Sequence, residues 1–150
     1  MPKSKSKVII KSPKVKYSVE HKTLSLQVPA LPNQTDQIIV PASTVEGMRK
    51  MKHLIVQGAS SNTSVQGIYW ALVFVPEGYA ANALNLNGSM YEPNQNILCA
   101  GIWDPTAGNL RVHSPVSRNL NSGDTIHLLL KCDTDTAVGV GVFVQYAISY

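Results

Sequence analysis

The chain has 150 residues, which is enough for one domain with its own hydrophobic core. Charged residues make up only 15% of it, against about 25% in typical globular domains, and this low charge predicts a surface that becomes covered in an assembly. No apolar run is long enough to span a membrane, and the N-terminal region has no signal-peptide core, so we expect neither a membrane partner nor secretion.

The positive charge is concentrated at the start of the chain. Residues 1–22 contain seven lysines and one acid, a net charge of +6, whereas residues 23–150 contain six basic residues and eight acids, a net charge of −2. Such a lysine-rich segment has little to bury and is typical of disorder. We therefore predict a basic, disordered arm at 1–22 and a folded domain at 23–150.

From residue 24 onward, short β-branched and aromatic runs alternate with turn residues. This pattern predicts eight strands, at 24–28, 37–40, 48–57, 67–75, 96–103, 109–113, 125–132 and 137–148. The run at 67–75 is apolar on both faces, as in a strand covered on two sides. The last run alternates valine with glycine, which predicts close approach of a neighbouring backbone. We predict an all-β sandwich or barrel, for which the jelly roll is a common arrangement.

The candidates for catalysis or metal binding are few. The four histidines fit no metal-binding motif, and no G-x-S-x-G elbow presents Ser117 to His127 and Asp124. The two carboxylates Asp133 and Asp135 fall short of the oxygen ligands that calcium requires. Cys99 and Cys132 belong to no C-x-x-C pair and are predicted to be free thiols. We expect no enzymatic activity, no cofactor and no metal.

The lysines predict binding to nucleic acid. A lysine that neutralises a phosphate releases counterions, and such contacts bind without reading sequence. A second basic group follows at Lys50 and Lys52, which strand alternation places on one face. The predicted nucleic-acid-binding residues are Lys3, Lys5, Lys7, Lys11, Lys14, Lys16, Lys22, Lys50 and Lys52. Four aromatic residues are candidates either for stacking on bases or for the core and interfaces, namely Tyr69, Trp70, Tyr91 and Trp103.

Several segments in combination resemble a known family. They are residues 49–53 (RKMKH), 69–78 (YWALVFVPEG), 84–86 (LNL), 90–97 (MYEPNQNI) and 114–124 (SPVSRNLNSGD). Over about residues 47–148 the chain resembles the capsid protein of small circo-like viruses that have circular, Rep-encoding single-stranded DNA genomes. The resemblance implies an eight-stranded antiparallel jelly-roll sandwich that self-assembles into an icosahedral shell of sixty copies.

The same resemblance implies where the protein acts and what it meets. The basic arm would lie inside the virion against the single-stranded DNA genome, assembly would occur in the host nucleus, and a host receptor would be a further partner. The arm is shorter than the family's and contains lysine instead of arginine. Additional charge is therefore expected from small cations or from an inner wall, for which the candidates are Lys50, Lys52, Arg111, Arg118 and Lys131.

A second hypothesis requires no shell. A small β-sandwich can also be a module that binds nucleic acid or carbohydrate through one face of a sheet. That function requires an exposed aromatic or polar site on the face, and the low charge of the body would then be incidental.

Overall fold

The computed structural model describes residues 16–30, 33–61, 67–81, 96–115, 117–132 and 136–149. Within these ranges all regular structure is β, and no helix is long and apolar enough to cross a bilayer. The strands are β1 (Tyr17–Val28), β2 (Thr35–Val40), β3 (Arg49–Ser60), β4 (Ile68–Val75), β5 (Asn96–Trp103), β6 (Leu110–Ser114), β7 (Arg118–Leu120), β8 (Thr125–Cys132) and β9 (Val138–Ser149).

The strands form two antiparallel sheets. The first sheet has the order β1-β9-β3-β6, with β7 also paired to β3, and the second has the order β2-β8-β4-β5. Because β6 and β7 pair with successive parts of β3, they are two halves of one edge strand. Numbered as eight strands, the sheets read 1-8-3-6 and 2-7-4-5, which is the strand order of a jelly roll. The predicted fold is confirmed.

The core lies between the two sheets. Alternate residues of β9, such as Val142 and Val144, face Leu72 and Leu128 of the second sheet, and all four are almost fully buried. The outward side of the second sheet is also buried around Val73, as the two-sided apolar pattern of β4 predicted. This double burial makes β4 and β8 the central strands of the second sheet.

Strand β1 begins earlier than predicted. It pairs with β9 along its whole length, from Tyr17 opposite Ser149 to Val28 opposite Val138. The prediction that residues 17–22 belong to a disordered arm is therefore wrong. Their side chains are mostly exposed, so they carry no apolar periodicity, and backbone hydrogen bonds to β9 hold them instead. Residues 1–15 lie outside the described residues.

A bulge in β3 accounts for the unpredicted strand β7. His53 has φ of 54°, the left-handed conformation that is uncommon outside glycine. At this residue the register of β3 against β9 shifts, and its other neighbour changes from β7 to β6. The extra residue keeps both Met51 and Leu54 buried in the core. It also leaves Lys50 and Lys52 on the outward side.

Two glycines, one in each sheet, give an expected result on stability. A Cβ at Gly101 would lie 3.0 Å from a ring carbon of buried Trp70, whereas a Cβ at Gly141 would meet nothing within 4 Å. We expect Gly101→Ala to destabilise the fold by about 1–3 kcal/mol, because the indole must move in a packed core. Gly141→Ala is the matched control and should cost nothing. Urea unfolding midpoints measure both, and equal midpoints would contradict the packing described.

The two cysteines are free thiols, as predicted. Cys99 pairs with Leu72 and Cys132 with Ile68 on opposite sides of β4, four residues apart, so about 13 Å of strand separates their pairing positions. Burial raises the pKa of both thiols, which lowers the reactive thiolate fraction. We expect a disulfide reagent to modify half-buried Cys99 slowly and Cys132 only on unfolding. Rapid modification of both thiols in native protein would contradict this burial.

Candidate nucleic-acid interface

The outward face of the first sheet is rich in positive charge. Of the six lysine and arginine residues in the strands of this sheet, three face outward, namely Lys50, Lys52 and Arg111, and the strands contain a single acid, Glu20. Strand alternation turns Glu20 away from the outward positions, so among the described residues none of those positions holds a carboxylate. We call this surface the basic face, and it consists of the outward residues of β1, β9, β3 and β6.

Lys50 and Lys52 lie together at one end of the basic face. In register across the sheet, Lys50 is opposite Ser149, which is itself opposite Tyr17 of β1. The Lys52 ammonium lies 3.8 Å from the centre of the Tyr17 ring, a cation–π contact that fixes the side chain over the sheet. The predicted pairing of these two lysines on one face is thus found.

The polypeptide joins the basic face at the same end. Tyr17 begins β1 at the edge of the sheet, and exposed Lys16 directly precedes it. The segment 1–15 therefore connects to the body beside Lys50 and Lys52. Five of the predicted lysines fall outside the described residues, and these are Lys3, Lys5, Lys7, Lys11 and Lys14.

Lys22 is not part of this group. The alternation of β1 turns it to the side of Leu24, and its ammonium donates a hydrogen bond to the carbonyl oxygen of Ile38 at 3.3 Å. Ile38 belongs to β2 of the second sheet. Lys22 thus ties the two sheets together at their edge, on the side opposite the basic face.

The other three inner-wall candidates lie in different parts of the structure. Arg111 is exposed beside Gln57 on the basic face. It also lines a depression together with Asp104, which lies in the turn between β5 and β6. Arg118 instead points between the sheets, where its guanidinium lies 3.9 Å from the centre of the Phe74 ring. Lys131 belongs to the second sheet. The structure therefore places Arg111 on the same face as the two lysines of β3, opposite a residue five positions beyond Lys52, and it places Arg118 and Lys131 elsewhere.

A shallow trough of about 350 Å³ crosses the basic face near its middle. Gly141 and Ala59 form its floor, and Phe143, Gln57 and Arg111 stand along one side. The close backbone approach predicted from the valine–glycine alternation occurs only at Gly139, where Ser61 donates to the carbonyl oxygen. Above Gly141 the space is open. We refer to this depression as the glycine trough.

The predicted stacking aromatics lie elsewhere. Trp70 and Trp103 are 9% and 4% exposed in the core, Tyr69 is half-buried on the second sheet, and Tyr91 lies outside the described residues. Besides Tyr17, which contacts Lys52, the basic face carries Phe143, whose ring centre lies 5.9 Å from that of the His21 ring. Its outward direction follows from its pairing with Thr23 and Gln57, which the sequence alone does not reveal.

His127 lies in a hydrogen-bonded chain of three side chains. Its Nδ1 is 2.6 Å from an Asp36 carboxylate oxygen, and its Nε2 is 2.9 Å from the Thr125 hydroxyl. The Ser117–His127–Asp124 combination considered above does not form, because Asp124 accepts backbone hydrogen bonds from Glu77 and Asn121. The hydrogen bonds of Asp36, His127 and Thr125 therefore link β2 to β8. In the part of the chain that is described, no group of three metal-ligating side chains occurs.

Comparisons with known proteins give remote likenesses. No protein-family model matches the sequence, and no curated protein matches it. A mitogen derived from Yersinia pseudotuberculosis superposes with a TM-score of 0.47 and 9% identity over 83% of this chain and 84% of that one. The structure of infectious bursal disease virus, Gx strain, gives 0.44 and 9% over 90% of this chain, which spans 32% of that one. The structure of Desmodium yellow mottle tymovirus gives a TM-score of 0.31 and 12% identity over 98% of this chain and 95% of that one.

Proposed function

We propose that this protein is a viral capsid protein that self-assembles into a small closed shell and binds single-stranded DNA nonspecifically. The observation that carries the proposal is the basic face, whose described outward positions hold no acid. The lysine-rich residues 1–16 connect to this face at Tyr17, the first residue of β1. Capsid domains are among the proteins built on the jelly-roll fold. A shell subunit requires one surface that meets the genome, and the basic face has the charge for it.

The charge of the arm alone is small for a genome. Sixty copies of residues 1–16, each with six lysines and no acid, would supply only about 360 positive charges, far fewer than the phosphates of a genome of a thousand nucleotides or more. Lys50, Lys52 and Arg111 extend the positive surface from the arm across the sheet. The arm and the basic face therefore act as one surface directed toward the inside of the shell.

Self-association is supported by apolar side chains outside the core. Val45 and Met48 in the β2–β3 connection are 72% and 61% exposed, and Tyr79 after β4 and Ile102 on β5 are 74% and 65% exposed. Val45 and Met48 line one depression, and neighbouring exposed apolar side chains of this kind are typical of surfaces that become buried between subunits. Together with the low charge of the body, they supply contacts for a shell.

Sedimentation velocity of the full chain, with and without nuclease, tests the proposal. We expect a boundary of megadalton size and an ultraviolet absorbance ratio that stays rich in nucleic acid after nuclease treatment, because the shell protects its contents. A boundary at one to three subunits over a wide range of salt and pH would contradict shell assembly. It would favour the alternative of a small β-sandwich module that binds nucleic acid or carbohydrate.

A further inference from the structure

We propose that the glycine trough holds an unpaired base of single-stranded nucleic acid, with Phe143 stacking on the base and Arg111 contacting the adjacent phosphate. This inference rests on the proposed function, because it names how the same face would hold its ligand. It adds a preference for single strands that lysines alone do not provide, since lysine contacts to phosphate are indifferent to base pairing.

The floor of the trough indicates an occupant from outside the chain. Gly141 lies in the middle of the twelve-residue strand β9, where glycine weakens a strand and often marks close approach of a ligand or another backbone. A Cβ there would meet nothing within 4 Å, so packing within the chain does not require glycine. Ala59 in the trough is also small and exposed, as is Ser25, which pairs with Gly141 and lines the adjoining depression. The opening is therefore free for a flat group.

The side of the trough has the chemistry that a nucleotide requires. Phe143 presents a half-buried ring whose cross-strand neighbours are Thr23 and Gln57 and whose centre lies 5.9 Å from that of the His21 ring. A base stacks on such a ring whatever its identity. The Gln57 amide carries both donors and an acceptor for a base edge. Arg111, directly across from Gln57, offers a guanidinium that matches phosphate geometry.

Charge and spacing select a polyanion for this surface. No outward position of the sheet carries a carboxylate among the described residues. Ser149, the residue opposite Lys50, lies six positions beyond Phe143 along β9. At strand spacing this is a distance of about 20 Å. A short single-stranded oligonucleotide that leaves the trough along β9 therefore passes Lys52 and Lys50 and reaches Tyr17, where the arm begins. This path is comparable in length to the sites of about 4 to 16 nucleotides that single OB folds cover.

The test compares single and double strands. Particles of the full chain are first dissociated into subunits, and the subunits are titrated into fluorescein-labelled oligothymidylate of about 12 nucleotides. The oligonucleotide is then present before a shell can close, and its binding is followed by fluorescence anisotropy. Oligouridylate of equal length distinguishes RNA from DNA as the source of the base, and a duplex of equal length removes the unpaired base. We expect tighter binding to both single strands than to the duplex.

Two substitutions test the trough without changing charge. Gly141→Val fills it at a position where a β-branched residue suits the strand, and Phe143→Leu removes the ring but keeps an apolar side chain. Each should weaken binding to single strands at least about fivefold, the lower end of what one stacked base contributes. Duplex binding should not change. Ala100→Val introduces the same β-branched side chain at an exposed position of the second sheet and should leave all binding unchanged.

Arg111→Gln separates the phosphate contact from the stacking contact. It should weaken binding to single and double strands alike and reduce the slope of log affinity against log salt by about 0.7 for a single strand. The Phe143→Leu slope should equal that of the wild type. Ultraviolet cross-linking of bound oligothymidylate, followed by peptide mapping, should place the cross-link on the peptide that contains Phe143, and this readout does not depend on the stability of any variant.

Three results would overturn the inference: wild-type affinity in both Gly141→Val and Phe143→Leu, equal binding of duplex and single strands, or cross-links confined to the arm. Each leaves the proposed function standing, because shell assembly is measured by sedimentation and binding through the arm by its deletion. Failure of the proposed function has a different signature, in which no particle forms and no nucleic acid is retained.

Discussion

Deleting residues 1–15 should strongly reduce binding to nucleic acid while leaving the fold and shell assembly intact. The deletion removes five lysines and stops before Tyr17, the first residue of β1. If each lysine contacts one phosphate, the slope of log affinity against log salt should fall by up to about 3.5 for single-stranded DNA. A cut after residue 22 would not test this, because it removes half of the strand that pairs with β9.

Filter binding over a range of salt concentrations measures this slope, and the absorbance ratio of nuclease-treated particles measures the retained nucleic acid. The matched control changes the same five lysines to arginine, which keeps the charge and should keep the slope. If the deleted protein retained as much nucleic acid as the full chain, the role assigned to the arm would be wrong. If it failed to form particles, the arm would instead be an assembly element.

Asp124→Ala should unfold the domain more readily than a substitution in any exposed turn. The Asp124 carboxylate is 5% exposed and accepts hydrogen bonds from the backbone N–H groups of Glu77 at 3.1 Å and Asn121 at 2.8 Å. It thus ties the turn before β8 to the segment after β4. Removing it leaves two partly buried backbone donors without their charged acceptor, at a cost of about 3 kcal/mol. At that cost the melting temperature falls by roughly 6–12 °C.

Asp104→Ala is the matched control. Asp104 is an exposed turn residue whose carboxylate accepts hydrogen bonds from the hydroxyl and backbone N–H of Thr106, and these bonds lower its pKa. Its contribution is therefore present at neutral pH and is lost as the pH falls through the lowered pKa. Differential scanning calorimetry at neutral pH should show a much smaller shift for Asp104→Ala. Equal shifts would contradict the anchoring role of Asp124.

The parts of the fold that could be predicted are those in which the sequence pattern and burial coincide. The bounds of β5 and β8 match the prediction because turn residues bracket apolar runs. The first half of β1 could not be predicted, since its stability comes from backbone pairing with β9 and not from buried side chains. Strand β7 has three residues, too few for any periodicity to appear.

The candidate interface shows a similar division. Alternation within β3 correctly placed Lys50 and Lys52 together, because that relation is local. Arg111 and Phe143 join them only through strand pairing across the sheet, which one sequence does not encode in readable form. Lys22 was assigned by its charge, yet it continues the inward side of β1 and is bonded to Ile38. Composition predicts that a polyanion binds, whereas the topology decides which side chains meet it.

Electron cryo-microscopy of nuclease-treated particles from the full chain tests the central claim most directly. We expect a closed shell in which the basic face, marked by Lys50, Lys52 and Arg111, lines the interior, with density for nucleic acid against it. A shell with that face on its exterior, or a preparation without closed particles, would contradict the account.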